Sequence, residues 1–240
     1  DQVVVVPHGV DPETFNLISE SEKKNIRDKY KINSEDFVLT NIGAMTQNKG
    51  VEDLIAAYGV LKKKNKNLKL VLKDQSNLYD RNAYNPIKNM HDSKFNQKYK
   101  IFNDLMYKDM IIISENLNFK EIKNIYSITD CYVSPYKAEG FNLTPLEAAA
   151  CGTQIVVTDG GPTDDYFDDC MGFKIESKEE KLNDNIYLRP KTNSLIEILD
   201  SIINKTDNKK NKRSKLVHKN FSWENVVKKL KKEFENKLSK

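Results

Sequence analysis

Residues 136–152 read YKAEGFNLTPLEAAACG. The run ahead of them, Cys131-Tyr132-Val133, is short and apolar, as a buried strand is. Glu139-Gly140-Phe141-Asn142 then turns and a helix opens. Thr144 suits the cap, Pro145 the first helical position, and Glu147 the place three residues after the cap. Ala148 to Cys151 are small enough to let the helix lie close to a sheet or a ligand, and Gly152 ends it. A Gly-containing loop feeding a helix N-terminus aims free N–H groups and the positive end of the macrodipole at one spot, an anion site suited to phosphate. Glu139, just before that spot, and Glu147, in the first turn, can accept hydrogen bonds from sugar hydroxyls. Either acid alone reads as a cap partner or a solvated loop residue. The whole block in register points to a sugar-nucleotide site.

Working outward, Phe37–Ile42 reads as a strand, followed by the loop Gly43-Ala44-Met45-Thr46-Gln47-Asn48-Lys49-Gly50 and an amphipathic helix from Val51 to about Lys64. This is a second phosphate-facing unit, without the G-x4-G-K-[ST] spacing of a Walker loop. Leu68–Leu72 is a strand ending at Lys73, and Met110–Ile113 another, leaving through Ser114–Asn118 into a helix over Phe119–Ile128. Between these strands, residues 75–108 are polar, with YDRNAYNP as an inserted loop, a break at Asn85-Pro86 and a helix from about Ser93 to Tyr107. Gln154–Thr158, Gly172–Ile175 and Asn185–Leu188 are further strands, and Thr192 caps a helix to about Ile203. Val3–Val6 reads as a strand stopped by Pro7. Ser19–Glu22 is a capping box opening a helix to about Tyr30. Asp164 and Asp165 suit a helix N-terminus for dipole reasons, not a metal. A last amphipathic helix opens at Ser222-Trp223 and puts Trp223, Val226, Val227, Leu230 and Phe234 on one side.

Strands thus alternate with helices about six times. The expected fold is α/β: a doubly wound, mostly parallel, six-stranded, Rossmann-like sheet spanning residues 1–240, with residues 1–18 leading in and 222–240 closing it. In such sheets ligands bind at the C-terminal strand ends. The loops at Gly43, Leu72, Ile113, Pro135 and Thr158 all leave from that rim.

Composition bounds the rest. The chain has 240 residues, 38% hydrophobic and 31% charged, with no apolar run of about 18 that would span a bilayer. Three cysteines, Cys131, Cys151 and Cys170, have no metal spacing and read as reduced core residues of a cytoplasmic protein. The net charge of +4 hides an asymmetry: residues 201–240 carry 13 Lys+Arg against 4 Asp+Glu. A solvated helix face accounts for this tail. Weak, peripheral contact with an anionic membrane is the other reading. The aromatic and Gly/Arg interleaving of nucleic-acid binders is absent, so no nucleic-acid partner is expected.

The motifs resemble those of family 4 retaining glycosyltransferases of the two-domain GT-B fold. Glu139 and Glu147 match that family's E-x7-E motif. EGFNLTPLEAAACGTQIVVTDGG is similar to its EGFG-x-x-x-LEAMA block, PHGVDPETF to its P-N-G-V-D segment with His8 at the Asn position, and Gly43–Gly50 to its G-R-L-x-x-x-K-G loop. The resemblance implies a donor-binding domain for a nucleotide-diphosphate sugar, metal-independent and without a further cofactor. Glu139 and Lys49 would serve catalysis. Gly43, Lys73, Ser114, Asn116, Gly140, Phe141, Asn142, Leu143, Thr144 and Glu147 would bind the donor, Glu147 through the ribose and the loop after Ile113 through the base. Two departures stand out: Ala44 replaces the family's Arg, with Lys73 a candidate substitute cation, and Asn142 replaces its second Gly. The resemblance further implies that the acceptor, a glycan, lipid or protein, meets an N-terminal domain absent before Val3, so that these 240 residues bind donor without turnover. A related sugar-nucleotide epimerase and a non-catalytic sugar-nucleotide-binding or scaffold module are the other two readings.

Overall fold

The computed structural model describes residues 4–79, 82–93, 96–97, 104–182, 185–203 and 205–238. Its centre is a six-stranded sheet of β1 (Phe37–Ile42), β2 (Leu68–Lys73), β3 (Met110–Ile113), β4 (Cys131–Ser134), β5 (Gln154–Thr158) and β6 (Gly172–Ile175). The order is β3-β2-β1-β4-β5-β6, and every neighbouring pair is parallel. This is the doubly wound order in which the chain reverses its direction of travel between β1 and β4, and a crevice opens at that switch point.

The four inner strands, β2, β1, β4 and β5, are buried on both faces, so their side chains sort by alternation. Leu39, Leu70, Leu72, Cys131, Val133 and Val156 point into a core closed by α2 (Val51–Lys62), α3 (Tyr84–His91) and the later helix at Thr192–Ile202. Val38, Val71, Tyr132, Ile155 and Val157 point the other way, against α4 (Phe119–Ile128) and α5 (Leu143–Ala150). α2 buries Val51, Leu54, Ile55 and Leu61, each side chain worth about 1.5–3 kcal/mol of transfer free energy. The small residues Ala148, Ala149 and Ala150 are fully buried, which is what lets α5 sit close on the sheet. Cys131, Cys151 and Cys170 are buried free thiols.

At the N-terminal strand ends two arginines tie the layers together. Arg27, on α1 (Glu20–Lys29), reaches the carbonyls of Ile128 and Asp36 and pairs with Asp130 at 2.6 Å. Arg213, on α7 (Lys210–Phe221; α6 is Thr192–Ile202), donates to the carbonyls of Gly152 and Cys170 and pairs with Asp207 at 2.9 Å. α8 (Trp223–Leu238) follows and leaves Trp223, Val227, Leu230 and Phe234 exposed, with Val226 buried. Among the described residues no helix is long and apolar enough to cross a membrane.

Several local expectations are corrected. Val4–Val6 form no strand: Val4 and Val5 are exposed, none of the described residues pairs with them, and the segment's β-bridge comes at Val10, to Ser222 (Val3 lies outside the described residues). Asn85-Pro86 is no break, because Pro86 sits in the first turn of α3, where a missing N–H costs nothing. The helix expected over Ser93–Tyr107 falls largely outside the described residues, with Asp104–Lys108 helical at its end. Thr192 is the first residue of α6, with Lys191 at the cap, and its hydroxyl bonds Asp53 at 2.6 Å instead. The strand at Asn185 belongs to a separate antiparallel ribbon, β7 (Ser177–Leu182) with β8 (Asn185–Pro190). Ser19 caps α1 in a reciprocal capping box with Glu22, as its spacing predicts.

Candidate functional site

The two loops that leave β1 and β4 meet at the switch point. Asn48 stitches them together: its carbonyl accepts from the Lys137 N–H at 2.6 Å and its side-chain amide donates to the Ala138 carbonyl at 3.1 Å. Gly50 makes the close approach possible. It lies at φ +63°, and a Cβ there would fall 1.8 Å from the Pro135 carbonyl oxygen. No side chain fits, so this Gly decides how tightly the loops can close. The result brings Lys49 and Glu139 into a direct ion pair, with their side chains 27% and 12% exposed. The Lys49 stem passes over Gly43, 3.9 Å from where a Cβ would be. Glu139 is therefore not a solvated loop acid.

The start of α5 differs from the sequence reading. The helix begins at Leu143 with Asn142 at the cap, so Thr144 is its second residue and Glu147 lies in its second turn. Asn142 adopts φ +62°, ψ +68°, the left-handed region that Asn tolerates better than other side chains. Asn142 thus adopts a backbone conformation that Gly also adopts readily. Its side chain does not cap the helix but donates to Ser134 Oγ at 3.0 Å, and its carbonyl accepts from the Tyr166 hydroxyl at 2.7 Å. The first amides of α5, at Leu143 and Thr144, thus have no side-chain cap, and the positive end of the helix dipole lies behind them, the arrangement that suits an anion. Gly140 is exposed, and a Cβ there would meet open space.

Glu147 projects from the same helix. Burial raises its pKa from an ordinary 4.5 to about 7, opposed by a hydrogen bond from the Tyr126 hydroxyl to Oε2 at 2.8 Å. Tyr132, on β4, links the two acids. Its hydroxyl grips the end of β1 through both Ile42 N and Ile42 O, and both Glu147 and Glu139 act on it electrostatically. Glu147 thus lies on the Tyr126 side of α5, while Glu139 lies on the loop before that helix, paired with Lys49.

A cleft of about 410 Å³ adjoins this point, lined by Ile42, Lys73, Gln75, Asn116, Leu117 and Phe119 among others. Lys73 is buried, not a surface strand-end residue. Desolvation pulls its pKa down, and its amine donates to the Asp74 carbonyl. Ser114 is committed to structure, its hydroxyl donating to Asp74 at 2.7 Å, and Asn116 accepts from the Asn77 amide at 3.1 Å. Burial alone would raise the Asp74 pKa, but bonds from Ala83, Ser114 and Ser76 outweigh it and hold the acid low. Asp164 and Asp165 lie in a short 3-10 turn, with Asp164 paired to Lys174 at 2.9 Å. Ala44 is buried.

Two residues of this neighbourhood escaped the sequence reading. Tyr126 and Tyr132 look like ordinary core aromatics in their runs. His8 was noted for its place beside a turn, yet its ring sits 5.1 Å from Phe141 and 6.2 Å from Trp223. A Cβ on Gly9 would strike Trp223 at 2.7 Å, so only Gly allows that stack.

The comparisons fit this geometry. The family model described as "Glycosyl transferases group 1" matches residues 22–189. An uncharacterized glycosyltransferase, MJ1607 of Methanocaldococcus jannaschii, is 24% identical over 237 residues, covering 95% of this chain and 52% of its own length. The crystal structure of the C-terminal domain of a glycosyl transferase group 1 protein, LpcC of Francisella tularensis, superposes with a TM-score of 0.65 at 23% identity, over 90% of this chain and all of that one. Anabaena Alr3699/HepE, solved in complex with UDP and glucose, superposes with a TM-score of 0.72 at 16% identity, over 97% of this chain and 56% of that one. The chain thus spans about half the length of the archaeal relative and of the Anabaena protein.

Proposed function

The chain belongs to the glycosyl transferases group 1 family, and from that premise we propose that it binds the nucleotide-diphosphate sugar donor of a retaining, metal-independent glycosyltransferase. One arrangement supports the reading: the Lys49–Glu139 ion pair and the uncapped start of α5, the helix that carries Glu147, belong to the loops that leave β1 and β4 at the switch point of a doubly wound sheet. Each has a chemical match in a sugar nucleotide.

The diphosphate takes the amides of Leu143 and Thr144 and the Lys49 ammonium. Those groups stabilise the negative charge that develops on the leaving phosphate as its bond to the anomeric carbon breaks. Glu139 accepts from sugar hydroxyls, exchanging part of its pairing with Lys49 for them. Glu147 accepts from the ribose, and the cleft beside Lys73 and Asn116 takes the base. The acceptor hydroxyl attacks from the face the diphosphate leaves, so the configuration is retained. The UDP and glucose of the Anabaena neighbour support a donor of this class.

Calorimetry with UDP-, GDP- and ADP-sugars tests the site. Saturable binding weakened by both Glu147→Ala and Lys49→Ala supports it. Unchanged binding in both variants moves the site elsewhere. Release of free nucleotide and an altered sugar without any acceptor would replace transfer by epimerisation.

A further inference from the structure

We propose that Tyr126 is a positioning residue for the ribose contact. It aims the carboxylate of Glu147 by fixing one oxygen and leaving the other to the nucleotide. The inference rests on the donor-site reading above.

The geometry begins with α4. The ring of Tyr126 is fully buried, 5.6 Å from that of Tyr132 and 6.1 Å from that of Phe15. Its own carbonyl accepts from the Thr153 hydroxyl at 2.7 Å, so the backbone is held as well as the ring. A ring packed on two aromatic neighbours has one accessible rotamer, and its hydroxyl therefore points at a fixed place. That place is Glu147 Oε2, at 2.8 Å.

Glu147 would otherwise be poorly fixed. It is half-buried on α5, and that burial disfavours its charge. Among the described residues no protein group is hydrogen-bonded to its Oε1. A carboxylate with one oxygen anchored and one open is a directed acceptor: it can take hydroxyl donors from one side only. The bond from Tyr126 also favours the ionised form against the desolvation around it, and ionised is the form that accepts from two vicinal hydroxyls at once. Ile122, one turn earlier on the same helix, lines the adjoining cleft. One helix thus shapes the floor of that cleft and aims the acid beside it.

A tyrosine serving only the core would lose packing, not ligand discrimination, when its hydroxyl is removed. The test uses that difference. The tightest of UDP, GDP and ADP is measured by calorimetry against its 2′-deoxy and 3′-deoxy forms, on the full chain, for wild type, Tyr126→Phe, Glu147→Gln and the double variant. Wild type should prefer the ribonucleotide, and Tyr126→Phe should cut that preference about tenfold, one charged hydrogen bond's worth, while the deoxynucleotide affinities stay where they were. Adding Tyr126→Phe to Glu147→Gln should cost nothing more. If Tyr126→Phe keeps the preference while Glu147→Gln abolishes it, the positioning role is overturned and the ribose contact stands. A uniform loss for all nucleotides, or an additive loss in the double variant, also overturns it. If Glu147→Gln leaves the preference intact, the ribose contact itself falls, and the role of Tyr126 with it.

Discussion

At the N-terminal strand ends, Arg213 is fully buried and Arg27 nearly so, and each is wrapped in carbonyls and a carboxylate. At the C-terminal ends of β1 and β4 the charged groups are also withdrawn from water, but they are left incomplete, unlike Asp74 at the end of β2, whose carboxylate is fully bonded. Lys49 and Glu139 have chiefly each other, Glu147 has one bonded oxygen, and the first amides of α5 have no cap. Saturation marks charge used to hold layers together, because an unpaired buried charge there would cost several kcal/mol. Incompleteness marks charge kept for a ligand that completes it. The contrast thus lies between the arginine anchors and the loops that leave β1 and β4.

The largest effect should come from breaking an arginine anchor. Arg213→Leu strands the carboxylate of Asp207 and the carbonyls of Gly152 and Cys170, and should lower unfolding stability by about 3–5 kcal/mol. Chemical denaturation measures this, and a loss under about 1 kcal/mol would erase the contrast. Lys49→Ala should do the reverse. Its partly exposed pair holds little fold stability, about 1 kcal/mol or less, whereas sugar-nucleotide affinity should fall about tenfold to a hundredfold, the worth of a charged hydrogen bond. A variant that unfolds easily but binds normally would reassign Lys49 to structure.

How much of this was legible beforehand follows the same division. The six sheet strands and the loops at Lys49 and Glu139 could be read because apolar runs end in Gly-rich turns. β7 could not: Ser177–Leu182 reads SKEEKL, and an exposed ribbon carries no alternation to betray it. The start of α5 was misplaced because Thr144, Pro145 and Glu147 spell a cap in sequence, while the left-handed Asn142 that ends the loop leaves no such signature. The arginine anchors were invisible for another reason. Arg213 sits in a lysine-rich segment that reads as a solvated face, and only tertiary packing turns that one cation inward. Tyr126 was passed over because an aromatic in an amphipathic helix is ordinarily core, and its hydroxyl matters only once α5 is laid beside α4.

A third prediction separates fold from function at Glu147. Its pKa in the folded state, about 7, lies above its ordinary 4.5. The folded protein therefore binds this proton more tightly than the unfolded chain. The resulting stability is fully present below about pH 4.5 and is lost as pH rises through about 7. Glu147→Gln removes the titration. It should match wild type near pH 4.5 and exceed it by about 1–3 kcal/mol at pH 8, while sugar-nucleotide affinity falls. Denaturation curves across that range check the sign, and a variant less stable than wild type at pH 8 would mean that Glu147 is saturated like the arginines.

The smallest effect tests why the loop tolerates Asn142. Its positive φ costs an ordinary L-residue about 1–2 kcal/mol, and its side chain recovers part of that through Ser134. Asn142→Ala should pay both terms and lose about 1–2 kcal/mol. Asn142→Gly removes the strain but also the bond to Ser134 and some restriction of the unfolded chain, and should stay within about 1 kcal/mol of wild type. The bare amides of Leu143 and Thr144 belong to the backbone, so Asn142→Gly should keep its diphosphate affinity. If Asn142→Gly binds the diphosphate more weakly than wild type, the Asn side chain itself meets the ligand, and the loop after β4 has one more polar group for it than its hydrogen bonds reveal.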